Sequence, residues 1–219
     1  MIKLVIFDLD GTLLYTLDSI AKSANHILAD YGYEAIETDV YRHYVGDGIY
    51  ELLDRAFSHA GETVKVTDEM VLRFRSYFKE DRNFHLRIYE GIEELLAFLK
   101  QKHIKIACNT NKPDPNAKLL LHEQFGDAFD VILGQRDGVP KKPDPAGARE
   151  IIDAIGASPV QALYVGDSDV DIFTAKNCGC FAVGAAWGYR GREELQQNGA
   201  DFIAEHPSDI IEFVKCKLD

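Results

Sequence analysis

Five short apolar runs recur without internal alternation: KLVIFD at 3–8, IKIACNTN at 104–111, DVILG at 130–134, ALYVGD at 162–167 and CFAVG at 180–184. DFIA at 201–204 adds a sixth. A strand with one wet face alternates apolar and polar residues, whereas continuous runs suit strands covered on both faces, as in a parallel sheet. Helical patterns lie between them. Ile92, Leu95, Leu96 and Leu99 fall at helical spacing in GIEELLAFLK, and DPAGAREIIDAIG ends on Gly156, a helix stop. The alternation predicts an α/β fold with a doubly wound parallel sheet.

One connection breaks the rhythm. Residues 9–103 separate the first run from the second, whereas a parallel crossover needs only about a dozen residues. Two helical patterns fill much of this stretch. TLDSIAKSANHILADYG puts Leu17, Ile20, Ala24, Ile27, Leu28 and Tyr31 on one face. TDEMVLRFRSYF does the same with Val71, Phe74 and Phe78 behind Thr67, an expected N-cap. Residues 15–85 therefore read as an inserted all-helical cap domain, with 1–14 and 86–219 forming the core domain.

Composition narrows the partners. The formal net charge is -12 and 46% of residues are hydrophobic, which gives a real core and disfavours nonspecific nucleic-acid binding. A small phosphorylated ligand is still admissible, because a local cation overrides the net field. Cys108, Cys178, Cys180 and Cys216 fit neither CxxC nor a zinc pattern, so reduced thiols in a cytoplasmic protein are expected. The N-terminus lacks the features of a signal peptide, and no apolar run reaches membrane-spanning length. No membrane partner is expected.

Parallel sheets bind ligands at the carboxyl ends of their strands. Asp8, Asp10, Gly11 and Thr12 follow the first run, and Thr110 and Asn111 the second. Lys142 in VPKKPDP comes after the third, and Gly166, Asp167 and Asp171 after the fourth. Acids at a buried strand end need a counter-charge, a hydrogen bond or a metal. The set suits phosphoryl transfer to a carboxylate. Asp8 can attack phosphorus, and Asp10 can shuttle the proton. Asp8 and Asp167 can ligate Mg²⁺ while Lys142 offsets further charge. Thr110 and the amides around Gly11 and Asn111 can hold phosphoryl oxygens. The D-x-D-x-D start of GDSDVD is not an EF-hand loop, because Ile172 and Cys178 stand where Gly and Glu belong. Asp169 reads as an ordinary acid in a helix's first turn.

DLDGT, the threonine of NTN, the lysine of KPDP and GDSDVD, in this order, resemble the four motifs of the haloacid dehalogenase superfamily. The resemblance implies a Rossmann-like core, Asp8 as nucleophile, and Asp10 as acid/base whose carbonyl also binds Mg²⁺. It implies Asp167 as a direct metal ligand and Asp171 as a second acid acting mainly through bound water. HYVGDGIYELLDRAF, CNTNKP and AAWGY are similar to segments of phosphoglycolate phosphatase-like members with a helical cap. Tyr15-Thr16 departs from the Asp or Asn, then Ser or Thr, common after DGTLL in that group. Gly46-Asp47-Gly48 lacks a dinucleotide fingerprint and is expected to be a substrate-facing cap loop, with Gly46 and Gly48 giving backbone freedom. His43 and Arg55 flank it, either as substrate contacts or as solvated cap residues. The expected activity is a Mg²⁺-dependent phosphomonoester hydrolase acting through an aspartyl-phosphate on a small, phosphoglycolate-like metabolite. Sugar phosphomutase, nucleotidase or pyrophosphatase action on the same scaffold are the alternatives, with a non-catalytic binding module behind them.

Overall fold

The computed structural model describes residues 1–61 and 64–218. The chain divides into two compact units, Met1–Leu13 with Ile88–Asp219, and Leu14–Arg87.

The larger unit is built on six parallel strands: β1 (Leu4–Phe7), β2 (Lys105–Pro113), β3 (Val131–Gln135), β4 (Ala162–Gly166), β5 (Phe181–Ala185) and β6 (Phe202–Ala204). Their order in the sheet is β3-β2-β1-β4-β5-β6. This is the doubly wound arrangement, in which the strand order reverses beside β1 and opens a crevice at the carboxyl ends of β1 and β4. The expected α/β class and parallel sheet are therefore found. All four residues of β1 are fully buried, which explains why its sequence shows no alternation.

Leu4 and Ile6 share one core with Ala148, Ile151 and Ile152 of an α-helix at Ala146–Ile155, and with Tyr164 of β4. Ile172 and Ala175 of another helix, Asp169–Cys178, complete that layer. The first of these helices stops at Gly156 in a left-handed conformation, φ 69°, as its sequence predicts. The other helices of this unit are Ile92–Gln101, Asp114–Phe125, Gly191–Gln197 and Pro207–Leu218.

β2 runs further than its sequence suggests. Thr110 and Asn111 lie inside the strand rather than after it, because pairing to β3 resumes at Pro113–Gln135 beyond an irregularity that begins at Asn109.

The smaller unit is helical, with helices at Leu17–Asp30, Ile49–His59 and Asp68–Asp81. Leu17, Ile20, Ala24, Ile27 and Leu28 are buried as expected, as are Val71, Phe74 and Phe78. Tyr31 is not. It lies past the first helix as its C-cap and is exposed. Thr67 caps the third helix by accepting from the Met70 N–H at 3.4 Å. No helix among the described residues is long and apolar enough to cross a membrane.

Candidate active site

Asp8 is the first residue beyond β1, and its N–H donates to the Val165 carbonyl of β4 at 2.9 Å. Asp167 is the first residue beyond β4, and Asp171 sits in the first turn of the helix that follows. All three are buried, and their carboxylates offer oxygens lying within 4.8 Å of one another. Lys142 supplies the cation, with its Nζ 2.8 Å from Asp8 Oδ1 and 2.6 Å from Asp171 Oδ1. The contact with Asp8 is an ion pair without hydrogen-bond geometry, so Asp8 Oδ1 has no hydrogen-bond partner.

Burial pushes the Asp8 carboxyl up to about 6, against the pull of Lys142 and with added repulsion from Asp171. Asp167 rises to about 8 through burial and then the charges of Asp171 and Asp8, opposed by bonds from the Tyr189 N–H and Thr12. Burial alone would depress Lys142, yet Asp171 and Asp8 hold its ammonium well above the usual range. Asp8 and Asp171 thus share one buried ammonium while Asp167 lies close by without it, and the pocket is short of positive charge. A divalent cation fits this donor set. The ligands are hard oxygens, one buried oxygen lacks a hydrogen bond, and both raised acids would be held ionised by such a charge.

Neighbouring backbone fixes the acids. Asp171 closes a local ring with Ser168, whose N–H and hydroxyl donate to Oδ2 at 3.2 and 2.7 Å. Asp167 accepts from Thr12 Oγ1 at 3.0 Å on one oxygen and from the Tyr189 N–H at 2.8 Å on the other. Each Asp167 oxygen keeps a lone pair for a metal. Gly188 allows this approach, since a Cβ there would lie 2.2 Å from Asp167 Cβ and 2.5 Å from the Gly11 carbonyl oxygen. Gly11, at φ 88°, is crowded by the same side chain, 2.3 Å from where its Cβ would stand. Gly188→Ala is expected to lower stability by about 1–3 kcal/mol through overpacking and to weaken stabilisation by added Mg²⁺. Unfolding midpoints with and without the ion check this, and unchanged values would count against the packing described.

One residue in this region escaped the sequence reading. Lys112 Nζ lies 3.0 Å from both Asp10 oxygens, and both side chains are nearly buried. Trp187 Nε1–H donates to the Thr12 carbonyl at 3.0 Å, so the segment 187–189 fastens the first and fourth motifs together. Asn111, expected near the phosphoryl group, uses its side chain on the Lys142 backbone. Its Oδ1 accepts the Lys142 N–H at 2.8 Å, and its Nδ2 donates to the Lys142 carbonyl at 3.2 Å. Thr110 is buried beside it and accepts from the Lys112 N–H at 3.3 Å.

Asp8, Asp10, Gly11, Thr12, Thr110, Asn111, Lys142, Asp167 and Asp171 all belong to the larger unit. Gly46 and Gly48 belong to the helical one, both at positive φ, 126° and 102°. Arg55 spans that loop, pairing with Asp47 and donating from Nη1 to the Tyr44 carbonyl at 3.0 Å. His43 is exposed.

The chain matches the model of a family described as haloacid dehalogenase-like hydrolase over residues 5–185. It is 31% identical to a phosphoglycolate phosphatase of Pseudomonas putida, over 99% of this chain and 78% of that one. It is 33% identical to a phosphoglycolate phosphatase of Vibrio cholerae, over 97% of each. Among solved structures it resembles a predicted phosphoglycolate phosphatase from Haemophilus somnus, with TM-score 0.87 and 30% identity, over 97% of this chain and 98% of that one.

Proposed function

The chain belongs to the haloacid dehalogenase-like hydrolase family and is a phosphatase of a small phosphorylated metabolite, and we propose that it hydrolyses phosphoglycolate through a phosphorylated Asp8. The observation that carries the chemistry is the buried Asp8 carboxylate beside the Lys142 ammonium, in a charge-deficient pocket at the sheet's switch point. The substrate follows from what the full-length relatives are named for.

In the first step an Asp8 oxygen bonds to phosphorus as the bond to the leaving oxygen breaks, and Asp10 gives that oxygen its proton. In the second step Asp10 takes a proton from water, which attacks phosphorus and returns the Asp8 carboxylate with release of phosphate. Lys112 orients Asp10 for both transfers through its even contact with the two oxygens. Lys142 and the Thr110 hydroxyl, with the amides of Gly11 and Asn111, take the phosphoryl oxygens. Asn111 also aims Lys142 by gripping its main chain. Mg²⁺, held by Asp8, Asp167, Asp171 and the Asp10 carbonyl, would supply the positive charge that lets a phosphate dianion approach these carboxylates. A cap role for residues 15–85, with Gly46 and Gly48 as substrate contacts, is part of the same proposal, as is a cytoplasmic setting.

The test is phosphate release from a panel of small phosphomonoesters, with Mg²⁺ and after its removal by a chelator. Release that needs the ion and favours phosphoglycolate at least tenfold over ethyl phosphate is expected. Equal rates on both esters would remove the substrate assignment and leave the hydrolase. Full activity in chelator would remove the metal.

A further inference from the structure

At its other end, the helix that carries Asp171 in its first turn holds a second concentrated piece of chemistry. Cys178 is its last residue, Gly179 its left-handed cap at φ 80°, and Cys180 follows directly. Both thiols are buried, yet Asn177 and Gly179 on either side of Cys178 are exposed. The two sulfurs stand 2.9 Å apart, in hydrogen-bond contact. A disulfide has its sulfurs about 2.05 Å apart, so closing the bond needs a shift of roughly 0.9 Å. Glycine, with no Cβ, adopts this left-handed cap without penalty, and here it turns the second thiol back onto the first.

We propose that Cys178-Gly179-Cys180 is a dithiol modification site that closes to an intramolecular disulfide when a peroxide reaches it. The Cys178 sulfur attacks one peroxide oxygen and breaks the O–O bond. This gives a sulfenic acid at Cys178 and, once its thiol proton is transferred, a first water. The Cys180 sulfur then displaces the sulfenic hydroxyl, which leaves with the Cys180 proton as a second water. The peroxide is reduced by two electrons and the pair of thiols is oxidised by two. Cys178 acts first because the Cys180 thiol, with Arg149 nearby, draws its pKa down, whereas that contact and burial push Cys180 up. Neither cysteine has a role in the phosphatase chemistry above, so the site is separate from that reading.

Trypsin tests it directly. Cleavage after Lys176 and Arg190 yields one peptide, 177–190, that holds both thiols. The intact protein is treated with hydrogen peroxide, quenched, denatured in iodoacetamide and digested. The expected peptide is lighter by two hydrogens and carries no alkyl group, and dithiothreitol restores two alkylation sites. Cys178→Ser and Cys180→Ser, made separately, should each abolish the bond. Phenylarsine oxide, which needs two thiols, should bind the reduced protein at one equivalent and neither variant. Exposed Cys216 serves as the control. Peptide 177–190 alkylated on both sulfurs under conditions that oxidise Cys216 would overturn the proposal. So would a stable sulfenic or sulfinic acid there without the internal bond.

Discussion

Asp8→Asn is expected to lower phosphate release by roughly 10⁴-fold or more, while the metal-free protein becomes no less stable at pH 8. The first effect follows from chemistry, because an amide cannot form the covalent intermediate. The second follows from electrostatics. Asp8 is buried, its pKa stands at about 6 instead of the ordinary 3.8, and Asp171 and Asp10 repel its charge. A group whose folded pKa is raised supports folding fully below the unfolded value. That support is lost as pH rises through the folded value. At pH 8 the ionised Asp8 is therefore a burden that asparagine lacks, whereas near pH 4 the difference closes. Lys142 keeps its 2.6 Å contact with Asp171 in the variant, so the ammonium is not orphaned. Urea unfolding at pH 5 and pH 8, paired with phosphate release, separates the two effects. A variant retaining a tenth of the activity would move the nucleophile elsewhere. A clear loss of stability at pH 8 would make Asp8 a structural partner of Lys142 first.

The sheet was legible because parallel strands are covered on both faces, so LVIF at β1 or ALYVG at β4 contains no polar residue to confuse the reading. The acids were legible for the same reason, since Asp8 and Asp167 stand where an apolar run stops. What stayed hidden depends on pairings between distant segments. Nothing in NTNKP marks Lys112 as a site residue. Only the continuation of β2 through Pro113 puts its ammonium against Asp10, 102 positions away. The hold of Trp187 and Tyr189 on the site likewise rests on contacts with Thr12 and Asp167 that span 175 and 22 positions. The helix Asp114–Phe125 went unread because only Ala117, Leu120 and Leu121 are buried along it, too narrow a stripe to show against its polar neighbours. The second resonance of the same limit is Tyr31, whose spacing fits a helix that has already ended.

Lys142→Met should be the most damaging single change to the metal-free fold. It leaves the pair Asp8 and Asp171 without their cation, and removing one partner of a buried ion pair typically costs about 3–5 kcal/mol. The side chains concerned are 4% exposed for Lys142, 8% for Asp8 and 0% for Asp171, so water cannot substitute. The loss should depend on pH. Lys142 is the main group pulling the Asp8 pKa down. Without the ammonium Asp8 takes up protons still more readily when folded than when unfolded. Stability therefore falls as pH rises from 5 to 8, and the deficit against the parent widens over that window. Added Mg²⁺ should recover part of the stability, because it restores positive charge among the same oxygens. It should not restore the rate, expected to stay roughly 10²–10³-fold down, because the donor to the phosphoryl group is gone. Urea midpoints at both pH values, with and without the ion, carry the stability half, and phosphate release carries the other. If Mg²⁺ restored both, Lys142 would be only a counter-charge. If the deficit were the same at pH 5 and pH 8, Asp8 and Asp171 would not be competing for a single cation.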